Sequence, residues 1–244
     1  MTSFRGKTVL VVGTAKSGVA AARLLARQGA NVLLTDRKPA AELGDALRGL
    51  PAAVEVESGG ETFFAKKLDL IVVSPGVPWN HPHLAAARKK GIPVWPELEL
   101  GWRMVRPRKT VAVTGTNGKT TTTALIGHLL KTAGKKVLMG GNIGTPLTAL
   151  ASKVTNDTFL VLEVSSYQLE GHLTFHPNVA LFLNLTPDHL ARHGTMAGYA
   201  RAKARIFDCF TSADTAVLNG NDPWCRKVGR KVRGRTVWFP ETTL

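Results

Sequence analysis

The stretch Gly115-Thr116-Asn117-Gly118-Lys119-Thr120 has the residue types needed to hold a phosphate chain. Glycines let backbone N–H groups curl around phosphate oxygens, and a helix that starts there adds partial positive charge. Lys119 would bring a point charge to the β- and γ-phosphates, and the Thr120 hydroxyl would ligate Mg²⁺. Residues 110–114 before the loop read as an apolar strand. Residues 119–133 after it read as a helix carrying Leu125, Ile126, Leu129 and Leu130. Val113 stands where the strict Gly-x4-Gly-Lys-[Ser/Thr] pattern has glycine. The expectation of a bound nucleoside triphosphate therefore rests on the strand–loop–helix context.

Other polar groups fall at strand ends. Glu163 closes an apolar run, 159–164, and is followed by Ser165-Ser166-Tyr167-Gln168. A carboxylate there is well placed to hold magnesium, which prefers hard oxygen ligands. Asn184-Leu-Thr-Pro-Asp188-His189 follows the run 179–183. Asp188, His189 and His193 lack a third strong zinc ligand at a suitable spacing, so His189 reads better as a magnesium or substrate ligand. Residues 196–210 read as one helix, with Tyr199, Lys203, Ile206, Phe207 and Phe210 on a single stripe. A lysine in such a stripe either snorkels out or serves chemistry, and the pattern alone favours snorkelling.

The elements that carry these groups alternate between strand and helix. Strands are expected at 8–12, 31–35 and 68–73, with helices at 17–28 and 82–90. After residue 109 the alternation restarts, with strands at 110–114, 136–139, 159–164, 179–183, 215–218 and 236–239. Near-continuous apolar strands between helices imply parallel sheets covered on both faces. Pro93, Pro96 and Pro107 interrupt the pattern between 91 and 109. The expected fold is therefore α/β in two domains, a Rossmann-like one over 1–95 and a P-loop-type parallel sheet over 96–244. Gly13-Thr14-Ala15-Lys16-Ser17-Gly18, with Asp36 downstream, approximates a dinucleotide fingerprint. Ala15 replaces the glycine that admits a pyrophosphate, which argues against a nicotinamide cofactor but not against another nucleotide.

Thirty-two basic residues against 17 acidic ones give a net charge of +15, which favours anionic partners. Part of the excess is the run Arg226, Lys227, Arg230, Lys231, Arg233 and Arg235, with no aromatic residue between the charges. A base-stacking platform is not suggested there, and nucleic acid is not an expected partner. Cys209 and Cys225 cannot build a disulfide framework. The apolar burst at 8–12 is too short for a signal segment or a membrane span, so a cytoplasmic location with no membrane partner is expected.

Taken together, the motifs resemble the Mur ligases. The resemblance is carried by Gly115-Thr-Asn-Gly-Lys-Thr-Thr121, Gly141-Asn-Ile-Gly-Thr-Pro146, Leu162-Glu-Val-Ser-Ser-Tyr-Gln-Leu169, Asn184-Leu-Thr-Pro-Asp-His189 and Tyr199-Ala-Arg-Ala-Lys203. Glu163-x-Ser-Ser-Tyr-Gln-Leu, with Ser74-Pro-Gly upstream, points to the D-glutamate-adding branch. The resemblance implies an ATP-dependent amide-forming ligase of cytoplasmic peptidoglycan synthesis, and hence a part in cell shape and division. Its substrates would be ATP, UDP-N-acetylmuramoyl-L-alanine and D-glutamate, joined through an acyl phosphate, with two Mg²⁺ ions and a monomeric enzyme. Gly115, Thr116, Asn117, Gly118, Lys119, Thr120 and Thr121 would bind ATP. Thr120 and Glu163 would hold one metal. His189 and Lys203, the latter as its carbamate, would serve the second, with Lys119, His189 and Lys203 as the catalytic groups. Such a carbamate would set Lys203 inward rather than snorkelling. Lys16, Ser17, Asp36, Arg37, Ser74 and Gly76 would line a UDP pocket, with Asn142 and Ser165 near the muramoyl-peptide. Ala191 stands where relatives often have an acid. The family also carries a third, C-terminal domain, so these 244 residues are expected to stop before it, before the central sheet is complete, and to lack full activity. The alternative is a non-catalytic UDP-sugar or nucleotide-binding fragment.

Overall fold

The computed structural model describes residues 3–240. The first run of elements is β1 (Thr8–Val12), α1 (Lys16–Arg27), β2 (Asn31–Asp36), α2 (Ala40–Leu43), β3 (Val54–Ser58), β4 (Leu70–Val73), α3 (Pro82–Lys89), β5 (Val94–Pro96) and α4 (Glu97–Met104). The chain continues through β6 (Lys109–Thr114), α5 (Lys119–Thr132), β7 (Val137–Gly141), α6 (Leu147–Leu150), β8 (Phe159–Glu163), α7 (Ser166–Leu169) and β9 (Val179–Phe182). It closes with α8 (Leu190–His193), α9 (Met196–Ala204), β10 (Thr215–Asn219), α10 (Pro223–Gly229) and β11 (Arg235–Phe239). Two compact units result. One comprises residues 1–104 with 146–151 and 171–173, and the other the remainder.

In the first unit five parallel strands run in the order β3-β2-β1-β4-β5. The order reverses between β1 and β4, where α/β sheets open a crevice beyond their carboxyl ends. Both faces are apolar. Val9, Val11, Leu25 and Leu34 build one core, and Leu10, Leu33, Ile71 and Leu84 the other. The proline-broken stretch after residue 91 is more ordered than its sequence suggests. Edge strand β5 ends on Pro96, where a missing N–H costs no ladder bond, and α4 begins at once with Glu97 and Glu99 in its first turn. Helix α4 clusters with the first unit, so the compact units part at 104/105. Glu97 is fully buried and accepts from the Thr148 N–H and hydroxyl at 2.8 and 2.7 Å.

The second unit holds six parallel strands in the order β11-β10-β9-β6-β8-β7. Its first strand, β6, sits inside the sheet between β8 and β9, so the loop after β6 emerges at the centre of the carboxyl edge. The expected helix 196–210 is shorter. α9 ends at Ala204, and a 3-10 turn, Arg205–Phe207, carries Ile206 and Phe207 into the core.

Candidate functional site

Between β6 and α5 the chain turns on two glycines with positive φ, Gly115 at 151° and Gly118 at 81°. Gly118 is the N-cap of α5, a 14-residue helix whose first N–H groups have no side-chain cap. Such a terminus favours an anion. The loop is held from the side by Asn184, beyond β9. Its Oδ1 accepts from the N–H groups of Thr116 (3.1 Å) and Asn117 (2.9 Å), and its Nδ2 donates to the Asn117 carbonyl at 3.1 Å. Lys119 folds back, Nζ donating to the Thr116 carbonyl at 2.8 Å. Thr121 is exposed on the first turn of α5.

Glu163, at the end of β8, is buried. Its Oε2 accepts from the Thr120 hydroxyl at 2.8 Å and its Oε1 from the Asn142 amide at 2.9 Å. Thr120 on the first turn of α5, Glu163 at the end of β8 and Asn142 just after β7 thus converge. Among the described residues no Lys, Arg or His lies within ion-pair distance of Glu163. A buried carboxylate with only neutral donors, next to a hydroxyl and an anion-binding helix end, fits a hard divalent cation such as Mg²⁺ shared with phosphate oxygens.

Lys203 points inward, and the snorkelling that its pattern favoured does not occur. It is 1% exposed, Nζ donates to the Gly115 carbonyl at 2.7 Å, and the ammonium lies 4.7 Å from the centre of the Tyr199 ring. Burial, reinforced by the Lys119 charge, brings its pKa down to about 7. The neutral amine is therefore accessible near physiological pH. His189 is exposed and adopts φ 53°, the one positive value among the described non-glycine residues. Its Nε2 is 3.4 Å from the Asp188 carboxylate and its ring 4.9 Å from that of Tyr167. His193 serves elsewhere: Nε2 meets the Ser166 hydroxyl at 2.9 Å, and the ring stacks on Tyr199 at 5.1 Å. Burial lowers the His193 pKa, outweighing the nearby Glu170 charge. Among the described residues no three His, Cys, Asp or Glu side chains converge as a metal site. Any second cation at His189 and Lys203 therefore needs an oxygen ligand that an unmodified lysine does not supply.

Ser165 has a role that sequence reasoning missed. Its hydroxyl accepts from the Gln168 N–H at 3.3 Å, while Gln168 Oε1 accepts from the Ser165 N–H at 3.1 Å. This reciprocal capping box starts α7, and the Ser-x-x-Gln spacing was its visible signal.

In the first unit a cavity of about 160 Å³ opens at the switch point, bordered by Gly13, Asp36, Arg37 and Gly76. Asp36 Oδ2 accepts from the Thr14 N–H and hydroxyl at 2.8 and 2.7 Å, and Oδ1 from the Lys38 N–H at 3.0 Å. Burial would raise its pKa, but the bonds from Lys38 and Thr14 outweigh that and hold the carboxyl below its ordinary range. Ser74 is buried and donates to the Gly13 carbonyl at 3.1 Å, so its hydroxyl fixes the loop. Lys16 is exposed and Ser17 half-buried at the start of α1; neither borders the cavity. Glu61 and His81, which the sequence did not single out, do border it, paired at 3.1 Å.

Known proteins resemble this chain along most of its length. Residues 113–240 match the Mur ligase middle domain, and residues 7–95 the Mur ligase MurD-like N-terminal domain. The chain is 49% identical over 238 residues to a UDP-N-acetylmuramoylalanine–D-glutamate ligase of Koribacter versatilis (strain Ellin345), covering 96% of this chain and 52% of that protein. It is 48% identical over 238 residues to the enzyme of the same name from Pelotomaculum thermopropionicum, covering 97% and 52%. The chain thus spans about half the length of the curated relatives it matches. Among solved structures, the UDP-N-acetylmuramate:L-alanyl-gamma-D-glutamyl-meso-diaminopimelate ligase from Neisseria meningitides shares the fold at 18% identity and a TM-score of 0.63, over 96% of this chain and 78% of that one. The UDP-N-acetylmuramate-alanine ligase from Thermotoga maritima does so at 22% identity and a TM-score of 0.55, over 91% and 51%.

Proposed function

Because this chain belongs to the Mur ligase family, we propose that it forms the nucleotide- and substrate-binding part of an ATP-dependent ligase joining D-glutamate to UDP-N-acetylmuramoyl-L-alanine. The observation that carries this reading is the convergence of Thr120, Glu163 and Asn142 beside the phosphate loop, with the Lys203 amine on the carbonyl of that loop's first glycine. Names of relatives supply the substrates.

In this reading the alanine carboxylate attacks the γ-phosphorus of ATP, the bond to the β,γ-bridging oxygen breaks, and an acyl phosphate forms. The D-glutamate amine then attacks the acyl carbon, loses a proton, and phosphate leaves. The reactants are anionic, so the residues must gather and neutralise charge. The loop amides of 115–121 hold the phosphates, Lys119 neutralises the transferring group, and Thr120 with Glu163 would hold Mg²⁺. When bound, that ion supplies charge compensation between the phosphates. A second ion would be held by His189 and by Lys203 once the amine carries a carboxylate as its carbamate. Asp36, Arg37 and Gly76 would contact the UDP moiety, with Lys16 and Ser17 at the start of α1 and Ser74 bracing the loop. Asn142 and Ser165 would lie towards the muramoyl-peptide. A monomer in the cytoplasm suits these substrates.

Calorimetric titration with ADP and with UDP-N-acetylmuramoyl-L-alanine tests binding, and phosphate release on adding ATP and D-glutamate tests turnover. Saturable binding of both ligands is expected, and failure to bind the UDP ligand would sink the assignment. The half-length match favours one second reading, binding without turnover by these 244 residues alone. The phosphate-release assay separates the two.

A further inference from the structure

The proposed reaction makes no use of the basic run that begins at Arg226. Along the sequence no aromatic residue lies among its charges, but the fold supplies one. Trp224 sits one turn before Lys227 on α10, and the Lys227 ammonium lies 5.5 Å from the centre of its ring. Ring and charges border a cavity of about 590 Å³ between α9 and α10. That volume is within the roughly 300–1,000 Å³ range of small-molecule sites.

The lining divides by chemistry. Ala200, Ala204 and Phe207 form an apolar floor, small enough on α9 to let a ligand approach the helix backbone. Trp224 and Val228 form the facing wall. Arg201, Lys227, Lys231 and Arg233 stand exposed around them, and among the described residues none is within ion-pair distance of a carboxylate. The single acid of the lining, Asp208, is already engaged by Arg205 at 3.0 Å. A merely solvated basic helix needs neither a cavity nor a half-buried tryptophan. The groove is also separate from the phosphate loop, because α9 turns Tyr199 and Lys203 to its buried side and Arg201 and Ala204 to this one.

We propose that this groove is a second ligand site, for a small organic anion with a flat ring that stacks on Trp224 and at least two negative charges for the cationic rim. A nucleoside polyphosphate and a flavin phosphate share that chemistry. The ring would bury apolar area against Trp224 and the alanine floor. The rim would contribute charge-assisted contacts that weaken with salt.

The test uses the 244-residue chain and three probes: riboflavin 5′-phosphate, neutral riboflavin, and GDP. Saturable binding of riboflavin 5′-phosphate is expected, with quenched flavin fluorescence and amide shifts at Ala200 and Ala204. Trp224→Ala should weaken it by about tenfold. The pair Lys227→Glu and Lys231→Glu should weaken it by about a hundredfold and flatten its salt dependence. Lys119→Met should leave it unchanged, and circular dichroism confirms that each variant is folded. GDP displacing the flavin from the Lys119→Met protein would identify nucleotides as the source, whereas failure to displace it would favour flavins. The proposal is overturned by the absence of saturable binding. It is equally overturned by riboflavin binding as tightly as its phosphate, or by loss of binding in Lys119→Met.

Discussion

Both units begin with a strand, a glycine loop and a helix, yet the two glycine loops close in opposite ways. After β1, Gly18 lies inside α1 and packs directly on the end of the strand. A Cβ there would sit 1.8 Å from the Gly13 carbonyl oxygen and 2.6 Å from the Ser74 hydroxyl. The loop is cinched further by Ser74 on Gly13 and by Asp36 on Thr14. After β6, Gly118 is the helix cap itself, and a Cβ there would meet only Leu183 Cδ1, at an ordinary 3.5 Å. That loop is held from the side by Asn184, which leaves the end of α5 facing outward. The position of the glycine, in the packed first turn or at the cap, decides whether the same motif makes a tight joint or leaves an uncapped helix end open.

The sharpest way to break this comparison is Gly18→Ala. Backbone atoms of Gly13 must move to admit the methyl, so a loss of about 3 kcal/mol is expected from overpacking. Denaturant unfolding checks it, and a loss under about 1 kcal/mol would show that α1 is not jammed on β1. Next is Lys119→Met, which removes the proposed cationic partner of the phosphates but no core contact. ATP affinity should fall by about 30-fold, or about 2 kcal/mol, with little change in melting temperature. A parallel drop in stability would mean that the bond from Lys119 to Thr116 holds the loop. Gly118→Ala comes third. It meets no clash but forces alanine into a left-handed conformation, at about 1–2 kcal/mol. It should fold, unlike a variant that collides with backbone, and bind ATP more weakly.

The contrast also explains what the sequence revealed. Strands β1, β2 and β4 were legible because they are buried on both faces, so their residues form continuous apolar runs. β3 escaped notice because Val-Glu-Val-Glu-Ser buries only Val54 at a sheet edge, and three-residue β5 is shorter than any periodicity. Lys119, Thr120 and Glu163 stand out in the sequence because polar groups beside apolar strands are conspicuous, and the fold brings Thr120 and Glu163 to within 2.8 Å of each other. Asn184 stands in a recognisable motif, but its grip on the loop depends on β9 lying beside β6, which pairing decides and local sequence does not. Helix α10 carries a start signal in its sequence. Asp222 before Pro223 is an N-cap followed by proline at N1, and its carboxylate accepts from the Trp224 and Cys225 N–H groups. That helix places Trp224 beside Lys227 at i+3.

The smallest expected effect probes how firmly the first loop is tied. Asp36 accepts three hydrogen bonds, and its pKa is held below the ordinary 3.8 despite burial. A carboxyl whose folded pKa is depressed contributes stability above its unfolded pKa and loses it as pH falls through the folded value. Wild type should therefore exceed Asp36→Asn in melting temperature at pH 7. The gap should hold down to about pH 4 and close below 3.8 as the wild-type carboxyl protonates. The group is only half-buried, so solvent screening keeps the difference to about 0.5 kcal/mol. A gap that persisted unchanged to pH 2 would mean that the asparagine amide is misplaced against the Lys38 N–H and that charge is not what ties this loop. If the gap closes on schedule, the first loop is held shut partly by a carboxylate, whereas the second is held open by the neutral amide of Asn184.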